Sequence, residues 1–168
     1  MSEDIYREMI LDHYRNPRNK GKIETPDVRI HDSNPLCGDE ISIDLKVEGD
    51  TIKDIKFDGR GCAISQASAS MLTEMVSNKP LATIKDITKN EILENIGLTN
   101  LGPARIKCAL LSLKVLKLGM IKYYIDKDPN SAEKLKEDSK VLWHRIKLII
   151  RFANTVKKVN CKTHGSEN

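Results

Sequence analysis

The sequence predicts an α+β fold: a small antiparallel three-stranded sheet with helices packed on one face, followed by a C-terminal helical extension. Two observations carry this expectation. Ile41, Ile43, Leu45 and Val47 alternate with Ser42, Asp44, Lys46 and Glu48, the period of a half-buried strand, and Gly49-Asp50 turns the chain back into a second such run over 51–58. Turns this short join antiparallel strands, since parallel ones need a long crossover. The other apolar residues recur mostly at helical spacing, in segments that suit one side of such a sheet.

The elements follow in order. Residues 3–15, EDIYREMILDHYR, read as a helix in which Ile5, Met9 and Ile10 repeat at helical spacing, Ser2 caps and Pro17 ends the run. NPRNKG is a turn-rich link, and a short strand over 28–31 precedes the two longer ones. After Gly59-Arg60-Gly61 the string CAISQASASMLTEMV lacks strand alternation and predicts a helix over 63–77, whose small residues Ala63, Ala67 and Ser70 allow close packing. A shorter helix over 87–95 stops at Gly97. Gly102-Pro103 opens a third, ARIKCALLSLKVLKLGMIKYYI, with Pro near the first turn where its missing N–H is harmless. It is apolar nearly all round between Ala109 and Leu118, as a buried central helix should be.

Residues 1–125 thus form one domain, and 126–168 a basic helical extension ending in a loose tail. Within the extension, 131–159 reads as a helix with an apolar stripe through Leu135, Leu142, Ile146, Ile149 and Ala153, beside Trp143 and Phe152. The stripe is expected to cover the body or to pair copies of the chain as a homo-oligomer. The net charge of +4 arises after residue 125. A solvated helix face accounts for it better than a nucleic-acid surface, because only Trp143 and Phe152 could stack on bases and no nucleic-acid motif is present. Cys161 and His164 have C-x-x-H spacing, but in a short polar tail. No apolar run approaches the roughly 20 residues of a membrane span, and MSEDIYREM is polar and acidic, unlike a leader. The expectation is a cytoplasmic protein with no membrane partner.

Nothing marks the four cysteines as a secreted disulfide framework. Cys37 sits in a loop before the long strand, Cys62 at a helix start after a glycine turn, and Cys108 early in the central helix. All three lie near element ends, which can converge at one end of the sheet. Thiolates suit Zn²⁺ and iron–sulfur iron. A helix N-terminus favours the thiolate of Cys62, and Arg105 and Lys107 favour negative charge at Cys108. Asp39, two residues after Cys37 in an extended segment, points the same way and supplies an oxygen. Three thiolates and a carboxylate complete a tetrahedral set whose oxygen, the harder donor, is the more easily displaced from a soft metal. The competing reading is plain packing, because free cysteine is among the most buried residue types.

Longer strings favour the site. LDHYRNPRNKG (11–21), NPLCGDEI (34–41), GRGCAISQASASML (59–72) and GPARIKCALLSLKVL (102–116) resemble, in order and rough spacing, the NifU-like scaffold family, which includes the IscU and SufU types that assemble or traffic iron–sulfur clusters. The resemblance spans residues 1–123. It implies an IscU/SufU-like sandwich with Cys37, Cys62 and Cys108 as ligands, and Asp39 as the carboxylate linked to cluster release and to zinc binding. It implies a [2Fe–2S] cluster or iron, with zinc as the alternative occupant. Its partners would be a PLP-dependent cysteine desulfurase, which hands over persulfide sulfur, and apo iron–sulfur acceptor proteins. Cys108, preceded by Arg105 and Lys107, is the leading persulfide acceptor and Cys37 the next. Two departures stand out. Lys107 replaces the histidine that IscU-type members carry, so ARIKCA looks more like the SufU type; yet the stretch from Cys62 to Cys108 is short for the insertion that many SufU proteins carry. Lys107 is expected to pair with Asp39 or to balance the thiolates. The reading is an iron–sulfur scaffold, a carrier more than an enzyme. The alternatives are a SufU-type zinc-bound sulfurtransferase and, third, a structural zinc protein with a nucleic-acid-binding basic helix.

Overall fold

The structure is a computed structural model that describes residues 3–97 and 101–127. The chain divides into two compact units, Met1–Tyr123 and Tyr124–Asn168, and the architecture below is that of the first. The helix expected over 131–159, with its apolar stripe, and the Cys161/His164 pair lie outside the described residues.

Three strands form an antiparallel meander in the order β1-β2-β3: β1 (Val28–Asn34), β2 (Asp39–Glu48) and β3 (Thr51–Arg60). The alternation in β2 does what its period predicts. Ile41, Ile43, Leu45 and Val47 are all buried, and they meet Ile52, Ile55 and Phe57 of β3 in a common core, Phe57 without any exposed surface. Burying one such side chain contributes roughly 1.5–3 kcal/mol. On the opposite face Asp44 is also buried, and Arg29 answers its charge with two bonds, Nε to Oδ1 at 2.6 Å and Nη2 to Oδ2 at 2.7 Å. β1 runs three residues beyond the expected 28–31, because its pairing with β2 continues to Asn34↔Asp39.

Six helices among the described residues complete the layer: α1 (Glu3–Arg15), α2 (Ala63–Val76), α3 (Thr83–Asp86), α4 (Lys89–Ile96), α5 (Pro103–Ala109) and α6 (Leu111–Lys127). α2 packs against β3, α1, α4 and α5, and its buried residues Ala67, Ala69, Ser68 and Ser70 are small enough to permit it. α1 rests on α2 through Ile10 and His13, both buried, whereas Ile5 is 49% exposed and lies off the expected stripe. His13 Nδ1 and the Arg18 amide both bond Ser70 Oγ at 2.8 Å, and Asn19 Nδ2 donates to Thr73 Oγ1 at 3.2 Å. The link after α1 then runs beside β3, with Phe57 N–H donating to Asn19 O and Gly21 N–H to Phe57 O, which covers part of an otherwise open strand edge.

Two expectations change. The helix placed at 87–95 begins at Lys89, because Thr88 forms a capping box with Glu91; the four-residue α3 before it is too short to show a period. It ends at Gly97, whose φ of +67° favours glycine and whose Cα lies against the Tyr6 ring, leaving no room for a Cβ. The central helix expected as one piece is two, α5 and α6, separated at Leu110 (φ −94°, ψ −1°). There the Ser68 hydroxyl donates to the Ala109 carbonyl at 2.6 Å and lies 3.2 Å from Ser112 Oγ. A side chain engaging a helical carbonyl is a recognised cause of such a bend.

Candidate metal centre

The β1–β2 connection is the tight turn 35–38, built on Asn34. The Asn34 carbonyl accepts the amides of Cys37 (3.2 Å) and Gly38 (2.9 Å), and its side-chain Oδ1 accepts Leu36 N–H at 3.2 Å, an Asx turn. Gly38 has φ +69°, which a β-carbon would disfavour. Cys37 therefore projects, exposed, from a turn rather than from the extended segment expected, and Asp39 follows as the first residue of β2.

Asp39 is 1% exposed. Its Oδ1 accepts the Cys62 backbone N–H at 2.9 Å, and its Oδ2 lies 4.0 Å from Cys62 Sγ. Cys62 is the N-cap of α2, and its sulfur accepts the Ser65 amide at 3.5 Å. This approach depends on Gly61: a Cβ there would stand 2.7 Å from Asp39 Oδ1 and 3.0 Å from Ser65 Oγ. From the third side α5 brings in Cys108, with Asn34 Nδ2 3.8 Å from its sulfur.

The result is a cluster in which one ligand atom each from Cys37, Asp39 and Cys108 lie within 4.8 Å of one another. Cys62 stands just outside that trio, reaching it through Asp39 Oδ2. A tetrahedral ion with metal–sulfur bonds near 2.3 Å needs neighbouring sulfurs roughly 3.7 Å apart, so the Cys37 and Cys108 donors need only small adjustments. The donor chemistry, thiols with one carboxylate, fits Zn²⁺ or iron.

Of the four residues singled out in the sequence, Cys37, Asp39 and Cys108 come together here and Cys62 stands beside Asp39, but the electrostatics differ from expectation. Cys37 and Cys62 are exposed, while Cys108 is buried. Burial, reinforced by hydrogen bonds with Asp39 and Cys37 and by the charges of Cys62 and Asp39, pushes the Cys108 thiol well up. Arg105 and Lys107 point to solvent instead of lowering it. Nor does Lys107 pair with Asp39 among the described residues; the carboxylate faces the Cys62 amide and the thiols. Asn34, Gly61 and Ser65 also shape the site. Only the Asn-Pro start of the turn gave a local signal.

The sequence pattern of the NifU-like N terminal domain family matches residues 5–129. The zinc-dependent sulfurtransferase SufU of Bacillus subtilis is 40% identical, over 71% of this chain and 92% of its own. The iron–sulfur cluster assembly scaffold protein IscU 1 of Archaeoglobus fulgidus is 35% identical, over 79% of this chain and 84% of its own. The N-terminal part of a nitrogen-fixing NifU-like protein from Brucella abortus superposes with a TM-score of 0.62 at 22% identity, over 75% of this chain and 98% of that one, and shares the fold. No helix among the described residues is long and apolar enough to cross a membrane.

Proposed function

This chain belongs to the NifU-like N-terminal domain family of iron–sulfur cluster assembly proteins, and from that premise we propose that it is a scaffold that takes sulfur from a cysteine desulfurase, holds iron or a [2Fe–2S] cluster at Cys37, Asp39, Cys62 and Cys108, and passes it to apo-proteins. The observation that carries the reading is the convergence of Cys37, Asp39 and Cys108 from separate elements within 4.8 Å. Packing alone does not account for a carboxyl group buried among thiols, because a buried polar group is costly unless it finds polar partners.

The roles follow from exposure. A sulfur acceptor must be reachable and able to ionise. Cys37, exposed on the turn, meets the first need and replaces the buried Cys108 as the leading acceptor. Its thiolate attacks the outer sulfur of the desulfurase persulfide, the sulfur–sulfur bond to the desulfurase breaks, and that cysteine leaves as thiolate. Cys62 and Cys108 complete the sulfur donors for iron. Asp39 is the oxygen donor that iron releases first, and the Cys62 amide holds its other oxygen in place.

The second reading is a zinc-bound sulfurtransferase, favoured by the 40% identity to a relative of that name. Zinc would be held by the same four residues and would keep their thiols deprotonated. One experiment separates the two: oxygen-free incubation with iron, cysteine and a desulfurase. A visible cluster spectrum and transfer to an apo-ferredoxin support the scaffold. Zinc-dependent stimulation of the desulfurase without any cluster supports the sulfurtransferase.

A further inference from the structure

Ser65 lies three residues into α2, 1% exposed, and its Oγ has no hydrogen-bond partner among the described residues. A buried hydroxyl left unpaired is costly, and a native chain keeps few of them. A helical serine can usually return its proton to the carbonyl one turn earlier; this one does not. Its position suggests why. The space left by the absent side chain of Gly61 is flanked by two oxygens, Asp39 Oδ1 and Ser65 Oγ. Oδ1 accepts one bond, from the Cys62 amide, and a carboxyl oxygen with two lone pairs has room for a second. The Cys62 sulfur, the other nearby acceptor, already takes the Ser65 amide and accepts hydrogen bonds only weakly.

We propose that Ser65 is a positioning residue of the metal centre: its hydroxyl donates to Asp39 Oδ1 when Oδ2 turns to the guest. Two donors, the Cys62 amide and the Ser65 hydroxyl, then hold the oxygen that the guest does not use. They fix the carboxylate as a one-oxygen ligand and set how firmly it stays. The inference rests on the reading of the cluster as a metal site, and it goes beyond that reading by naming the group that orients its oxygen ligand.

The test is a double-mutant cycle on the full chain, read as Zn²⁺ affinity by competition with a chromophoric chelator. Groups that orient metal ligands typically change affinity about 10–100-fold. Ser65→Ala should bind Zn²⁺ about tenfold more weakly than wild type. Its metal-free form should melt no lower, because an unpaired buried hydroxyl has been removed. Adding Ser65→Ala to Asp39→Ala should change affinity by less than about twofold, since the partner is gone. Wild-type affinity in Ser65→Ala, a tenfold loss that persists without Asp39, or a metal-free variant that melts lower would each overturn the proposal. Wild-type protein that binds no Zn²⁺ would overturn the metal-site reading as well, so the two failures are distinguishable.

Discussion

The backbone N–H of Cys62 donates to Asp39 Oδ1 at 2.9 Å, across 23 positions of sequence. One bond thereby joins the first residue of β2 to the N-cap of α2 and gives a buried carboxylate its firmest partner. Helix N-termini present free amides that suit anions. Here the chain fills that position with its own carboxylate and so holds a metal-ligand oxygen beside the thiols.

Gly61 tests that arrangement with a single methyl group. A Cβ would stand 2.7 Å from Asp39 Oδ1, so Gly61→Ala must displace the carboxylate. We expect the variant to fold with a loss of about 1–3 kcal/mol in urea unfolding, the usual cost of overpacking. Its Zn²⁺ affinity should drop by about tenfold or more. Unchanged affinity would show that the carboxylate position does not matter to the guest.

Thiol labelling tests the assignment of exposed and buried sulfurs. Cys37 and Cys62 are exposed and Cys108 is buried with its pKa raised. With iodoacetamide and peptide mass spectrometry, the two exposed thiols should modify first in native metal-free protein. Cys108 should stay slow even at pH 9.0, where an ordinary thiol is half ionised. Rapid labelling of Cys108 would restore it as the leading sulfur acceptor.

The parts of the fold legible in the sequence were those with a strong local period or a turn signal. The alternation through Ile41–Val47 placed β2, and Gly97 and Pro103 bounded helices α4 and α5. What eluded the sequence came from contacts between distant elements. The bend at Leu110 involves Ser68, 42 residues earlier, engaging a neighbouring carbonyl, and helical periodicity contains no trace of that. The same holds at the site. Cys37, Asp39, Cys62 and Cys108 stood out by residue type and by the strings around them. Asn34 and Ser65 look like ordinary turn and helix-start residues until the fold sets them against a thiol and a carboxylate. Burial also reversed the expectation for Cys108, because flanking charges on the exposed side of a helix do not compensate for desolvation of a thiol facing inward.

Ser68 tests the α5–α6 junction. Its hydroxyl is buried and donates to the Ala109 carbonyl at 2.6 Å. Ser68→Ala removes that donor and should lower stability by about 0.5–1.5 kcal/mol, read from the urea midpoint at constant slope. No loss at all would mean that the bend does not depend on this bond.

His13 should make stability pH-dependent. It is 8% exposed, and its pKa is lowered from 6.5, chiefly by burial and then by the Arg18 charge, against the opposing pull of Glu74 and Asp12. The unfolded chain therefore takes up the proton more readily than the folded one. The contribution is fully present above pH 6.5 and is lost as pH falls through the folded value. Asp44, held down by Arg29 against its burial, adds a loss only lower, below its ordinary 3.8. Melting temperatures measured from pH 6.5 down to pH 3.8 should drop as pH drops in wild type and stay flatter in His13→Gln. An equal slope in both would assign the dependence elsewhere.

The most direct measurement is X-ray absorption at the zinc edge on protein loaded with one equivalent of Zn²⁺. Three sulfurs at about 2.3 Å and one oxygen at about 2.0 Å are predicted, with one sulfur lost in each of Cys37→Ser, Cys62→Ser and Cys108→Ser. A first shell with fewer than three sulfurs, or one unchanged by any of these substitutions, would contradict the account.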